Sequence, residues 1–162
     1  MDSGINQSHE DFEGRIVSAM NFVDDRRGPE DCGGHGTHVA STIAGTKYGV
    51  ANTAKIFGLR VLGCRGSGSL SGIMKALNWV ADNAQLPAVV NMSLGGSKSR
   101  GYDEALARLK RKGIHVVVAA GNSNRDACNY SPAGSPDAIT VGSTGRSDSR
   151  SSFSNCGRCV DI

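Results

Sequence analysis

Three short stretches carry residue types that could share one piece of chemistry. Asp2 precedes a Ser-Gly turn, His35 stands in Cys32-Gly33-Gly34-His35-Gly36-Thr37-His38, and Asn122 follows an apolar run in Ala119-Ala120-Gly121-Asn122. A histidine flanked by glycines has room to exchange a proton with a bound molecule near neutral pH. A carboxylate beside it would fix the imidazole tautomer and stabilise the imidazolium formed when it takes a proton. A side-chain amide at a strand end can donate a hydrogen bond to an oxygen that becomes negative during a reaction. Taken singly, Asp-Ser-Gly and Gly-Asn are common turn and strand-end sequences. Their order along an alternating strand and helix pattern gives them weight.

That pattern is legible after His35. A helix is predicted to begin near Thr37 and to end at Gly45, and Lys55–Leu62 reads as a strand. Ser71 could cap a helix whose apolar positions Ile73, Ala76, Leu77, Val80, Ala81 and Ala84 follow the 3.6-residue period. Pro87 closes the connection to a buried strand at Ala88–Leu94. A helix from about Tyr102 to Lys112, stopped by Gly113, leads to a second buried strand at Ile114–Ala120, and a shorter one spans Ala138–Gly142. Continuously apolar strands alternating with helices predict an α/β fold, a parallel β-sheet flanked by helices on both faces. In such sheets ligands gather at the carboxyl ends of the strands. Asn122, Ser93 and the loop from Gly63 to Gly72 would fall there.

The 162 residues suit one domain able to bury about 70 % of its unfolded surface. A net charge of +3 gives no argument for nucleic acid. The densest basic run, Arg108-Leu109-Lys110-Arg111-Lys112, ends a predicted helix, where cations complement the macrodipole. No stretch approaches the ~20 apolar residues of a membrane span, and no secretion signal opens the chain. Five cysteines, at 32, 64, 128, 156 and 159, would leave one over if the others pair, and pairing would mean an oxidising compartment.

The motifs together resemble those of subtilisin-like serine proteases, most closely the proteinase K branch. The matching stretches are Asp2–Ile5, His35–Ala40, Gly66–Ser69, Asn91–Gly96, Ala119–Asn122, Tyr130–Ala133 and Ser151–Asn155, in the family's order and along nearly the whole chain. The resemblance implies a serine endopeptidase in which Asp2 orients His35, His35 is the general base, His38 is structural and Asn122 is the oxyanion donor. It implies that Gly66, Ser67, Gly68, Ser69 and Leu70, with Ser93, Leu94 and Gly95, clamp an extended polypeptide substrate as an added strand. It implies disulfides Cys32–Cys64 and Cys128–Cys159, with Cys156 left over. It also implies structural Ca²⁺ held by the carbonyls of Pro136 and Ala138 and the Asp161 carboxylate. A secreted, monomeric enzyme follows, with a pro-segment or a protein inhibitor as possible partners and neither nucleic acid nor membrane.

One departure is plain: the Gly-Thr-Ser segment that carries the family's nucleophile does not occur in these 162 residues, and neither does a Gly-x-Ser-x-Gly elbow. The chain is therefore expected to be the N-terminal and central part of a peptidase domain. It would lack the strand before Asp2 and the serine-bearing part, and would be inactive and prone to aggregate by itself. The rival from another class is a non-catalytic subtilisin-like binding or inhibitory module, against which the presence of Asp2, His35 and Asn122 together argues. A zinc site on His35 and His38 has no Glu after the first histidine, and the Cys156-Gly157-Arg158-Cys159 spacing of a redox pair lacks a following helix. Gly63–Gly72 is no phosphate loop, because no Gly-Lys-Ser/Thr follows it.

Overall fold

A computed structural model describes residues 1–162, which form two compact units, residues 1–76 and 77–162. In the first unit, strand β1 (Ile16–Asn21) pairs in parallel with β2 (Ile56–Arg60), and helix α1 (His35–Ala44) lies between them in sequence. The helix starts two residues earlier than its apolar pattern suggests, because His35 and Gly36 already belong to its first turn. β1 has no counterpart among the predicted elements. Its sequence, Ile-Val-Ser-Ala-Met-Asn, neither alternates nor runs continuously apolar, so only pairing with β2 identifies it as a strand. A 3-10 turn at Glu10–Phe12 places Phe12 in the core, where Ile5, Ala44, Leu59 and Val61 are also buried.

An ion pair between a buried arginine and a half-buried aspartate closes the carboxyl end of this small sheet. Arg60, the last residue of β2, is fully buried and meets both oxygens of Asp25 at 2.9 and 2.5 Å. Asn21, at the end of β1, folds the intervening loop by donating to the carbonyls of Val23 and Arg27 and accepting from the Val23 amide. The Asp25 carboxyl is held down at about 2, chiefly by the hydrogen bonds from Arg60.

Helix α2 (Leu70–Asn83) is capped by Ser69, whose Oγ accepts from the Gly72 amide at 3.1 Å. Ser69, not the expected Ser71, caps it because the helix begins one residue before Ser71. In the second unit β3 (Ala88–Met92), β5 (Ile114–Ala119) and β7 (Ile139–Val141) form a parallel sheet with β5 in the middle. β3 stops at Met92 rather than Leu94, which leaves Ser93–Gly95 outside the sheet. A two-residue antiparallel pair joins β4 (Gly96–Ser97) to β6 (Tyr130–Ser131). Helix α3 (Arg100–Arg111) ends just before Gly113 and buries Tyr102, Leu106 and Leu109. Its basic end is paired internally, Arg108 with Asp82 at 2.6 Å and Lys110 with Asp137 at 2.9 Å. The architecture is the α/β arrangement of parallel sheets and helices that the sequence implies.

The Asp25–Arg60 pair generates a pH prediction. Because the Asp25 carboxyl lies below its ordinary 3.8 in the folded chain, its stabilisation is complete above that value and is lost as pH falls toward about 2. Asp25→Asn should lower the melting temperature at neutral pH and flatten its decline between those two values, whereas Asp24→Asn at an exposed neighbour should do neither. Parallel melting-temperature profiles for Asp25→Asn and the parent chain would exclude this role.

Candidate active site

Asp2 is fixed by its backbone before its side chain does anything. Its amide donates to the Leu59 carbonyl at 3.0 Å, and its carbonyl accepts from Val61 at 2.8 Å and Leu62 at 3.1 Å. These bonds form a parallel bridge to Arg60, so Asp2 stands at the carboxyl end of β2. The side chain is buried; its Oδ1 accepts from the Ser3 amide at 2.7 Å and lies 2.6 Å from Nδ1 of His35. Its Oδ2 is buried without a hydrogen-bond partner. An ionised carboxylate offers no proton, so Nδ1 of a neutral His35 must be the protonated nitrogen and Nε2 the free base. The imidazole is 57 % exposed against 8 % for Asp2, so a reactant can reach the ring while its partner stays dry.

The glycine after His35 has a different role from the one its openness suggests. Gly36 is buried, and a Cβ there would fall 2.2 Å from the Gly4 carbonyl oxygen and 3.1 Å from Cβ of Asp2. Its missing side chain lets α1 approach the Asp2 segment closely enough for the 2.6 Å contact. Asp31 completes the arrangement by accepting from the amides of Gly33, Gly34 and Thr37 and from the hydroxyls of Ser3 and Thr37. Burial alone would raise its carboxyl, but the donors of Thr37, Ser3 and Gly34 outweigh it and hold it below the ordinary value. His38 is exposed, lining an open groove with His9, Thr42 and Tyr48.

In the second unit Asn122 is exposed on the turn that follows β5. Asn155, almost fully buried, holds that turn. Its Oδ1 accepts from Ser123 at 3.0 Å and Arg125 at 3.1 Å, its Nδ2 donates to Ala120 at 2.9 Å, and its amide donates to Gly121. Gly121 adopts φ +106°, and a Cβ there would strike Nδ2 of Asn155 at 2.5 Å. The Asn122 turn is thus built around a second asparagine.

The expected clamp residues fall in two segments, one exposed and leading into α2, the other half-buried to exposed after β3. Gly66 and Ser67 lie in a turn closed by the Gly63 amide on the Ser67 carbonyl at 2.8 Å, Gly68 and Ser69 lead on to α2, and Leu70, its first residue, is 45 % exposed. Ser93, Leu94 and Gly95 continue from β3, with Ser93 accepting from Nδ2 of Asn91. Disulfides join Cys32 to Cys64 and Cys128 to Cys159, as the resemblance implies, and Cys156 is a half-buried free thiol. Cys159 is therefore not the redox partner of Cys156. With Nδ1 of His35 occupied by Asp2 and no cluster of three His, Cys, Asp or Glu side chains, the zinc reading also loses its basis.

The subtilase family model matches residues 1–162. The chain belongs to the subtilase family. This subtilase is 53 % identical to the alkaline serine exoprotease A of Vibrio alginolyticus over all 162 residues, which cover 30 % of that protein. It is 52 % identical to the extracellular serine proteinase of Thermus sp. (strain Rt41A), of which it covers 40 %. A solved cold-adapted subtilisin-like serine proteinase superposes with a TM-score of 0.94 at 56 % identity, over 99 % of this chain and 59 % of that one. The subtilase thus spans less than half the length of these curated relatives.

Three residues that hold the candidates in place have no role in the sequence analysis: Ser3 and Asn155, which stand only inside matched stretches, and Asp31. Each hydrogen-bonds backbone groups, which any sequence supplies. The available signal was positional: an acidic residue four before His35, and an Asn closing the Ser151–Asn155 stretch.

Proposed function

We propose that this subtilase is the N-terminal and central part of a secreted serine endopeptidase domain. The observation that carries the reading is the 2.6 Å contact between a buried carboxylate and an exposed imidazole. In the proposed reaction Nε2 of His35 takes the proton of a serine hydroxyl supplied by the polypeptide outside these residues. The serine oxygen then bonds to the peptide carbonyl carbon, while Asp2 stabilises the imidazolium through Nδ1–H. Nδ2 of Asn122 donates to the resulting oxyanion. His35 returns the proton to the leaving amine, leaving an acyl-enzyme, and water activated by His35 hydrolyses it.

The exposed residues Gly66–Leu70 and the stretch Ser93–Gly95, which lies beyond the end of β3, suit an extended polypeptide, which would add as a strand through backbone hydrogen bonds. A pro-segment or a protein inhibitor would use the same mode, and the complete enzyme would act as a monomer. Two disulfides support secretion, since such bonds persist in oxidising compartments. No helix is long and apolar enough to cross a membrane.

Structural Ca²⁺ is part of the proposal. Asp161 and Thr140 exchange backbone and side-chain hydrogen bonds at 2.8 Å, which pins the carboxylate at Thr140, two residues after Ala138. One carboxylate and two carbonyls form a hard oxygen set of the kind Ca²⁺ takes, with water completing the shell. Bound at a hundredfold excess over its Kd, the ion would add about 2.7 kcal/mol to stability. The parent chain should melt higher with Ca²⁺ than with a chelator, and Asp161→Asn should erase the difference. Equal melting of the parent chain in both conditions would remove calcium from the proposal.

The enzymatic reading is tested on the complete gene product with a fluorophosphonate label and a chromogenic peptide. It should be labelled and hydrolyse the peptide; as is established for subtilisin itself, loss of the histidine should cost about 10⁶ in kcat, and loss of the oxyanion asparagine about 10²–10³. Full hydrolysis by His35→Ala, or none by the unmutated protein, would refute the proposal.

A further inference from the structure

Helix α1 begins without an ordinary cap. An N-terminal helix turn leaves its first amides without intrahelical acceptors, and a Ser, Thr, Asp or Asn at the cap position normally takes the second or third of them. Here Gly34 holds the cap position and has no side chain to offer. The two amides are satisfied from elsewhere: Gly36 donates to Oγ of Ser3 at 3.0 Å, and Thr37 donates to Oδ2 of Asp31 at 2.8 Å. The two substitutes are joined, because Oγ of Ser3 donates to Oδ1 of Asp31 at 2.8 Å.

This split cap is also a gauge. Ser3 follows Asp2 directly and donates its own amide to Oδ1 of Asp2, while Gly36 follows His35 directly. The Ser3–Gly36 bond therefore closes a ring that contains the Asp2–His35 bond, and Asp31 fixes the Ser3 hydroxyl that makes it. We infer that Asp31 is a positioning residue that, through Ser3, sets the distance between the Asp2 carboxylate and the His35 imidazole. Asp31 suits the task because both its oxygens are consumed by donors, three on Oδ1 and two on Oδ2. An asparagine has one acceptor oxygen, so its NH₂ would face donors on the other side and open half of the cap. A negative charge there also complements the helix N-terminus.

The inference rests on the proposed enzymatic reading only for the purpose of the pair; its test needs no hydrolysis, so either can fail without the other. The complete gene product, labelled with ¹⁵N, is observed by NMR for the deshielded Nδ1–H proton of His35. The amides of β1 and β2 report whether the unit is folded. The parent chain should show the resonance, and Asp31→Asn and Ser3→Ala should each lose it or shift it strongly upfield with the β1 and β2 amides in place. Should Asp31→Asn unfold the unit, Ser3→Ala, which deletes a single hydroxyl, decides alone. An unchanged resonance in either folded variant, or no such resonance in the parent chain, overturns the inference.

Discussion

The structure of the site depends on one buried carboxylate. Burying a charge is costly unless hydrogen bonds or an opposite charge compensate it. Asp2 is compensated on one oxygen by the Ser3 amide and by His35, while its second oxygen is buried and unpartnered. The imidazole is the one side chain hydrogen-bonded to this carboxylate. A proton gained by the ring would be met by a charge already in place and already desolvated. Such preorganisation is how a protein stabilises a charge that forms only during reaction.

Several otherwise unrelated features serve this contact. β2 supplies a strand end to which the Asp2 backbone is bridged, and the Arg60–Asp25 pair anchors that same strand end from inside. Gly36 removes the Cβ that would separate α1 from the Asp2 segment. The Cys32–Cys64 disulfide ties the loop before His35 to the loop after β2. In the second unit Asn155 performs a comparable service for the Asn122 turn, with side-chain bonds to Ala120, Ser123 and Arg125. In both units the reactive candidate is exposed, and a polar residue that holds it, Asp2 in the first and Asn155 in the second, is buried.

The sequence carried the large elements because their physics is local. Ala88–Met92 and Ile114–Ala119 are apolar but for Asn91 and His115, and α3 declares itself through Tyr102, Leu106 and Leu109 at helical spacing. β1 was hidden because Ser18 and Asn21 break its pattern and its strand character comes from pairing with β2. The two-residue strands Gly96–Ser97 and Tyr130–Ser131 are too short to carry a pattern at all. Asp2, His35 and Asn122 stood out through motif and order, yet the Asp2–His35 contact joins positions 33 apart and no periodicity encodes it. Gly36 was noticed for the wrong reason, as room around the imidazole, whereas it admits a neighbouring backbone. Asp31 and Asn155 were silent because their work is done on main-chain amides.

The most direct test of the central claim, that His35 held by Asp2 is the working base of an acyl-transfer enzyme, is to treat the complete protein with a peptidyl chloromethyl ketone and map the adduct by mass spectrometry. A base poised beside a substrate carbonyl should displace chloride through Nε2 and become alkylated. The account predicts the added mass on the peptide containing His35, with loss of activity in step and no adduct in Asp2→Asn under the same exposure. An adduct on another residue, or inactivation that leaves His35 unmodified, would contradict it.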